Sequence, residues 1–362
     1  MEKFKVGVIG GTGMVGQRFV TLMERHPWFQ LTVIAASPRS AGKRYEDAVS
    51  GRWAMDTPIP DEAKDLILMS AEDDIEQIAS QVDFVFSAVD MKKDEIKALE
   101  EAYAKFECPV VSNNSAHRWT PDVPMVIPEV NPEHLAVIPA QRKRLGTKRG
   151  FIAVKSNCSI QSYVPALSPL RSFGLEKILV CTYQAISGAG KTFDTWPEMV
   201  DNLIPYIGGE EEKSEQEPLK VWGEVKDGMI VAVSEPAITA QCLRVPVSNG
   251  HTAAVFVTFR NKPSEEEMKS LWAGFRGRPQ ELELPSAPKQ FLHYFEEPDR
   301  PQAKLDRELE GGMAVSIGRL RPDTQYDYKF VSLSHNTLRG AAGGAVLLAE
   351  LLCAEGYIDH RA

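Results

Sequence analysis

No apolar run in this sequence of 362 residues reaches the roughly 18 residues that a helix needs to cross a bilayer, so no transmembrane segment is expected. Nor does a basic stretch followed by an apolar one open the chain. Residues 1–5 lead straight into a strand-like segment, and no signal peptide is expected. Positive charge is in the minority: Lys and Arg total 41 against 50 Asp and Glu, a formal net charge of −9. A chain this acidic has no bulk attraction for DNA, RNA or an anionic membrane. An anionic small-molecule substrate would need a local basic pocket. Cysteine is sparse, with five residues at Cys108, Cys158, Cys181, Cys242 and Cys353. Their odd number and wide spacing fit neither a disulfide framework nor a zinc site. No metal is expected, and reduced thiols in a cytoplasm are the simple reading. Internal repeats and low-complexity linkers are also absent.

What is present is the composition of a globular enzyme, 43% hydrophobic and 25% charged. The length exceeds one ordinary core and suggests two domains. Apolar runs at 4–9, 31–36, 66–70, 84–88 and 109–112 read as strands. Helical stretches at 14–25, 73–81 and 92–105 lie between them, the first with Val15, Phe19, Leu22 and Met23 on one face. Alternation of this kind predicts an α/β fold, a doubly wound parallel sheet of Rossmann type. After about residue 150 the runs at 178–182, 230–233, 240–247 and 252–259 predict a second, α+β domain. Residues 208–217, polar and acidic, read as an exposed helix start or loop. Residues 336–355 read as a last helix that returns to the first domain. The division expected is 1–157 plus 336–362, and 158–335.

Gly10, Gly13 and Gly16 form a GxxGxxG pattern between the first strand and the first helix. Such glycines permit a tight turn and a close approach to a pyrophosphate, whose charge the N–H groups at the helix start then bind. Gly10, Thr12, Gly13, Met14 and Val15 are therefore the candidate dinucleotide loop. At the end of the second strand an NAD site usually carries a carboxylate. Here Ser37, Arg39, Ser40 and Lys43 come first and no acid appears until Glu46. This set suits a 2′-phosphate and favours NADP over NAD. Ser87, in the run 84–88, joins the candidate cofactor set.

Cys158 follows the apolar run 151–154 and precedes Ile160, Val164 and Leu167 at helical spacing, near a helix start that Asn157 or Ser156 would cap. A helix N-terminus and a nearby imidazolium both lower a thiol pKa. Pro165 and Pro169 predict a bend in that helix. The segments GGTGMVG (10–16), SNCS (156–159), QAISGAG (184–190) and RVPVSNGH (244–251) stand in the same order as segments of the aspartate-semialdehyde dehydrogenase family. The resemblance covers essentially the whole chain and is most like the archaeal and fungal branch.

That resemblance implies Cys158 as nucleophile, His251 as acid/base and Gln184 as a residue that positions the acyl group. It implies Arg244 on the substrate carboxylate, where a planar fork matches two oxygens. It implies Glu210 on the substrate amine, with Lys213 and Arg118 on phosphate and Asn114 beside Arg118. Glu210 is chosen among 210–212 for its ExxK spacing. Ser187, Gly188 and Asn336, at the start of the last helix, are implied on the nicotinamide side. The activity implied is NADPH-dependent reduction of L-aspartyl-4-phosphate to L-aspartate-4-semialdehyde through a cysteine thioester, in a homodimer or homotetramer. Malonyl-CoA or succinyl-CoA reductase and N-acetyl-glutamyl-phosphate reductase keep the same cysteine chemistry. A P-loop kinase is a rival of another class, since residues 185–192 miss GxxxxGK(S/T) only at Ala185. A non-catalytic NADP-binding sensor is a third. It would have no use for Cys158, His251 and Arg244 together.

Overall fold

The computed structural model of the chain describes residues 2–361. Its first layer grows from aliphatic runs that bury both faces, as the central strands of a parallel sheet must. In β1 (Phe4–Ile9), Val6, Val8 and Ile9 are fully buried. The other strands are β2 (Phe29–Ala36), β3 (Met69–Ser70), β4 (Phe84–Ser87), β5 (Val110–Ser112), β6 (Met125–Val126) and β7 (Ile152–Lys155). Over the described residues they form a seven-stranded sheet in the order β3-β2-β1-β4-β5-β7-β6, paired in parallel throughout. The order reverses beside β1, which is where ligands bind in open α/β sheets.

Helices cover both faces. Phe19, Val20 and Met23 of α1 (Met14–Met23) pack with Val6, Val8 and Phe86. Ile78 of α2 (Ile75–Gln81) and Ile96, Leu99 and Tyr103 of α3 (Lys93–Lys105) pack with Ile9, Val33 and Val85 on the other side. The doubly wound expectation is met. The buried stripe of α1 differs from the expected one: Val20 takes the core position, and Val15 and Leu22 are half-buried. The chain turns into α1 through Gly13 and Met14, and this rotates the stripe.

The second sheet is mixed. Its members are β8 (Leu175–Gln184), β11 (Ala237–Arg244), β12 (His251–Phe259), β13 (Leu292–Phe295), β14 (Val315–Pro322) and β15 (Tyr328–Ser334), with β9 (Glu224–Lys226) and β10 (Met229–Val231) as a separate hairpin. The order is β11-β8-β12-β15-β14-β13. In β12 burial alternates strictly: His251, Ala253, Val255, Val257 and Phe259 face inward, and Thr252, Ala254, Phe256 and Thr258 lie half-open. On that open face Gln241, Cys181, Ala254 and Val331 fall in one cross-strand row, and Thr239, Leu179, Phe256 and Lys329 in the next.

Three local expectations need correction. The acidic segment opens a helix, but only Gly208, Gly209, Glu212 and Gln216 of it are exposed. It forms α4 (Glu210–Val221), whose Glu210, Ser214, Glu217 and Lys220 are buried on one face. The run after Cys158 is not one bent helix. It breaks into 3-10 turns at Ile160–Ser162 and Ser168–Phe173 around one α-turn, Val164–Leu167. Pro165 and Pro169 each withhold an N–H from a continuing ladder. The last helix, α5, begins at Ala342, not at Asn336, and runs to Ala354. Residues 336–341 form tight turns, and Ala341 at φ −140° and ψ −112° leaves helical space. As expected, α5 lies in the first layer, with Val346, Leu348 and Leu352 in the same cluster as Phe19 and Phe86.

Candidate active site

The candidate dinucleotide loop is a tight turn at Gly10 and Gly16, whereas Gly13, at φ −78°, has room for a side chain. Gly10 sits at φ +84°, and a Cβ there would lie 2.4 Å from the Ala88 carbonyl oxygen. A Cβ on Gly16 would lie 2.2 Å from the Gly10 carbonyl. Any side chain at either position would thus displace backbone. Two cavities flank this turn. One, of about 220 Å³, is bordered by Gly10, Thr12, Gly13, Ser37 and, unforeseen, Arg52 and Glu72. The other, of about 440 Å³, is bordered by Met14, Val15, Ser187, Gly188, Asn249 and Thr337. The pair runs from the end of β2, across the glycine turn, to the second sheet. That path fits an extended dinucleotide.

The other expected cofactor residues lie outside the borders of these two cavities. Arg39, Ser40 and Lys43 border neither cavity, and Arg39 and Lys43 are exposed. Ser87 is fully buried, and its hydroxyl accepts from Asn114 Nδ2 at 3.1 Å. Asn114 also donates to Glu100 at 3.2 Å. Ser87 and Asn114 thus satisfy one another at the ends of β4 and β5. Asn336 works as a tie, accepting from the Gly250 N–H at 2.8 Å and donating to Ser187 Oγ at 2.9 Å.

Cys158, His251, Gln184, Arg244 and Glu210 do come together. Gln184 and Arg244 end β8 and β11 in register, and His251 begins β12. Cys158 Sγ lies 3.5 Å from His251 Nε2. The Ala185 N–H donates to His251 Nδ1 at 3.1 Å. Nδ1 is therefore an acceptor, and the neutral ring carries its proton on Nε2, facing the sulfur. Burial pushes the imidazolium well below its ordinary value, and Arg244, His335 and Lys155 push the same way. Gly188 closes on this group: a Cβ there would lie 2.8 Å from Arg244 Nη1 and 3.1 Å from His251 Nε2.

The Cys158 thiol is itself pushed up by burial and by Glu210, while Lys155, Arg118 and Arg244 draw it back. The broken helix offers it little dipole, because that field needs several aligned turns. Its flanking N–H groups are also engaged. Asn157 N donates to Glu217 at 2.6 Å, and Ser159 N donates to Asn157 Oδ1 at 2.7 Å. Neither Asn157 nor Ser156 caps a helix: the turns that follow start from Ser159 and Tyr163 without a side-chain cap, and Asn157 Oδ1 closes a local turn on Ser159 N, so those two N–H groups are not available for an oxyanion.

α4 supplies the acids. Glu210 accepts from Lys213 at 2.7 Å and from Asn157 Nδ2 at 3.1 Å, with Gln184 Nε2 at 3.4 Å. Burial alone would raise its carboxyl, but Lys213, Asn157 and Gln184 together hold it below the usual carboxylate range. Two turns on, Glu217 pairs with the buried Arg118 at 2.8 Å. Arg118 also donates to the Lys155 carbonyl at 3.2 Å. Sequence reasoning missed Glu217 and Lys155, and gave Asn157 only as a cap. The 3.6-residue spacing of Glu210, Glu217 and the small Ser214 between them was the available signal.

The remaining sequence rivals meet the geometry poorly. Residues 186–189 form a single 3-10 turn, and 191–193 run on without a helix. A phosphate-binding P-loop opens a long helix instead. Groups of metal-ligating side chains are absent among the described residues. No helix of the described residues is long and apolar enough to cross a membrane.

Residues 5–138 match the family model described as semialdehyde dehydrogenase, NAD binding domain, and residues 167–339 the one described as semialdehyde dehydrogenase, dimerisation domain. The chain is 42% identical over 356 residues to an aspartate-semialdehyde dehydrogenase of Archaeoglobus fulgidus, covering 98% of this chain and 100% of that one. It is 42% identical over 365 residues to that of Aspergillus fumigatus, covering 98% and 99%. Among solved structures it is similar to the Candida albicans aspartate semialdehyde dehydrogenase with NADP, at a TM-score of 0.88 and 40% identity, covering 99% of this chain and 100% of that one.

Proposed function

The chain belongs to the semialdehyde dehydrogenase family, and on that footing we propose that it is an NADP-dependent aspartate-semialdehyde dehydrogenase that works through a thioester on Cys158. One observation carries the reading: the Cys158 sulfur sits 3.5 Å from His251 Nε2, with Arg244 and Glu210 close enough to act on its charge. Residues 1–157 and 336–362 would form the cofactor-binding domain, and 158–335 the catalytic and oligomerisation domain. NADPH, when bound across the glycine turn, supplies the hydride. Gly10, Thr12, Gly13, Met14 and Val15 would hold its pyrophosphate, and Ser37, with Arg52 beside it, would face the 2′-phosphate. Ser187 and Gly188 would line the nicotinamide side.

The residues then divide the work. Arg244 grips the substrate carboxylate and Glu210 its ammonium, which sets the β-carbonyl over the sulfur. The Cys158 thiolate attacks the acyl phosphate, the C–O bond to phosphate breaks, and Lys213 takes up the released anion. Gln184 orients the thioester. His251 donates Nε2–H to the oxygen that gains charge, and collapse returns thiolate and aldehyde. Oligomerisation through the open face of the second sheet, within the segment matched by the dimerisation-domain model, gives a homodimer or homotetramer. A cytoplasmic setting suits five unpaired thiols.

The test is phosphate-dependent oxidation of aspartate semialdehyde followed at the nicotinamide absorbance, with NADP and then NAD. Activity with NADP is expected, together with loss of turnover in Cys158→Ala. A Cys158→Ala protein with near-normal turnover overturns the nucleophile. Activity in parallel arms with malonyl-CoA or N-acetyl-glutamyl phosphate, and none with aspartate semialdehyde, overturns the substrate.

A further inference from the structure

We propose that the Tyr45 hydroxyl is a positioning group for the cofactor: by holding the Gly11 carbonyl it keeps the Thr12 N–H turned toward the pyrophosphate of NADP. The proposal deepens the reading of residues 10–15 as the pyrophosphate loop and rests on it.

A loop that binds an anion with its N–H groups must place its carbonyls elsewhere, each on a donor. Here every carbonyl from Gly10 to Gly13 has one. Gly13 N donates to the Gly10 carbonyl at 3.2 Å, which closes a four-residue turn over 10–13, and Gln17 N donates to the Gly13 carbonyl at 2.8 Å. The two carbonyls between them are held by side chains. Tyr45 Oη donates to the Gly11 carbonyl at 3.0 Å, and Gln17 Nε2 donates to the Thr12 carbonyl at 3.0 Å. The N–H groups of Gly10 and Gly11 are spent on the Ala35 carbonyl, at 2.9 and 3.1 Å. Those of Thr12, Met14 and Val15 have no acceptor among the described residues.

The central peptide of this turn joins Gly11 to Thr12, and with a glycine beside it that unit can flip. A planar trans peptide points its C=O and its N–H in opposite directions. A flip would therefore set the Gly11 oxygen where the Thr12 N–H stood and turn an acceptor toward the phosphates. Tyr45 opposes that exchange. Its ring is fully buried behind the turn, whereas Thr12 borders the cavity of about 220 Å³. The carbonyl is thus anchored on the protein side and the N–H is left on the cavity side. Burial pushes the phenol well above its ordinary value, so the hydroxyl stays a donor at neutral pH.

The second anchor leads to the same stretch of chain. Gln17, only 2% exposed, also donates to the Arg52 carbonyl at 3.1 Å and accepts from Ala54 N at 2.8 Å. Tyr45, Arg52 and Ala54 lie within ten residues of one another, in a segment that Tyr45 N fastens to the Leu66 carbonyl at 2.9 Å. That segment, which follows β2, backs the glycine turn and aims its free N–H groups.

The test is the binding of two ligands to the unmutated protein, Y45F and Q17M. One is NADPH, followed by its nicotinamide fluorescence. The other is adenosine 2′-monophosphate, which carries the 2′-phosphate and no pyrophosphate, followed by its displacement of NADPH. Y45F removes one oxygen and keeps the ring, and circular dichroism with a melting curve verifies its fold. Its NADPH affinity should fall about tenfold, since a hydrogen bond to a charged group is at stake, while its affinity for adenosine 2′-monophosphate stays within about twofold. Turnover at saturating NADP should hold. Q17M, which keeps the volume and loses the amide, should lose NADPH affinity by a similar factor, and it serves if Y45F does not fold. Unchanged NADPH affinity in a folded Y45F overturns the proposal. So does an equal loss for both ligands, which a merely structural phenol would cause by loosening the whole wall. An unmutated protein that binds no NADPH would remove the pyrophosphate reading itself, and that control keeps the two failures apart.

Discussion

Gly188 leaves no room for a side chain against Arg244 and His251. A methyl there would meet the far end of Arg244 and the imidazole edge of His251, and both are side chains that can tilt aside. Gly188→Ala should therefore fold normally and react poorly. We expect kcat/KM to drop roughly a hundredfold, as displacements near 1 Å in a reacting group do, with the thermal unfolding curve nearly unmoved. A large loss of melting temperature would show a structural role instead. At this scale the sequence was a good guide where the signal was local. Gln184, Arg244 and His251 sit at strand ends and Cys158 in the turn after β7, all within segments that the family marks, and the fold brings them together. It was a poor guide where the partner is distant. Lys155 reads as an ordinary strand end until Gly340 is seen against it. Arg39 and Lys43, which follow β2, are exposed in the loop after Ser37.

Among elements, α4 departs furthest from its sequence. A run of EEEK with few apolar residues reads as a solvated face, since isolated charges are costly to bury. The cost is offset by partners within the helix and beyond it: Lys213 of α4 itself and Asn157 Nδ2 for Glu210, and Arg118 with the Asn157 N–H for Glu217. Glu217→Gln keeps the shape and deletes the pairing, which leaves a buried guanidinium without its counter-ion. Urea unfolding should record a loss of about 3–5 kcal/mol, and a loss below about 1 kcal/mol would mean that Arg118 finds another partner. The strand pattern of β1 to β5 and β12 was legible because periodicity is set by burial. The helix after Cys158 and the start of α5 were not. Their breaks depend on two prolines, on Ala341 leaving helical space, and on Arg339, whose guanidinium is locked fully buried onto Glu129 at 2.6 Å.

Over the described residues, one face of the second sheet stands half-open. Leu179, Phe256 and Val331 stand half-open there beside Thr239 and Gln241. A second copy laid on that face would bury them. Phe256→Glu should lower the particle mass measured by light scattering toward that of one chain, and an unchanged mass would move the interface elsewhere. The other large-scale feature is the return of α5 to the first layer, against α1 and beside β5 and β7. Its consequence lies in the order of synthesis. The ribosome releases Phe19, Phe29 and Phe86 long before Val346, Leu348 and Leu352, so half of that aromatic floor waits unroofed while the whole second sheet is being translated. A nascent chain stalled anywhere short of residue 342 carries this sticky surface into the cell, and its survival depends on chaperone shelter until the closing turns emerge.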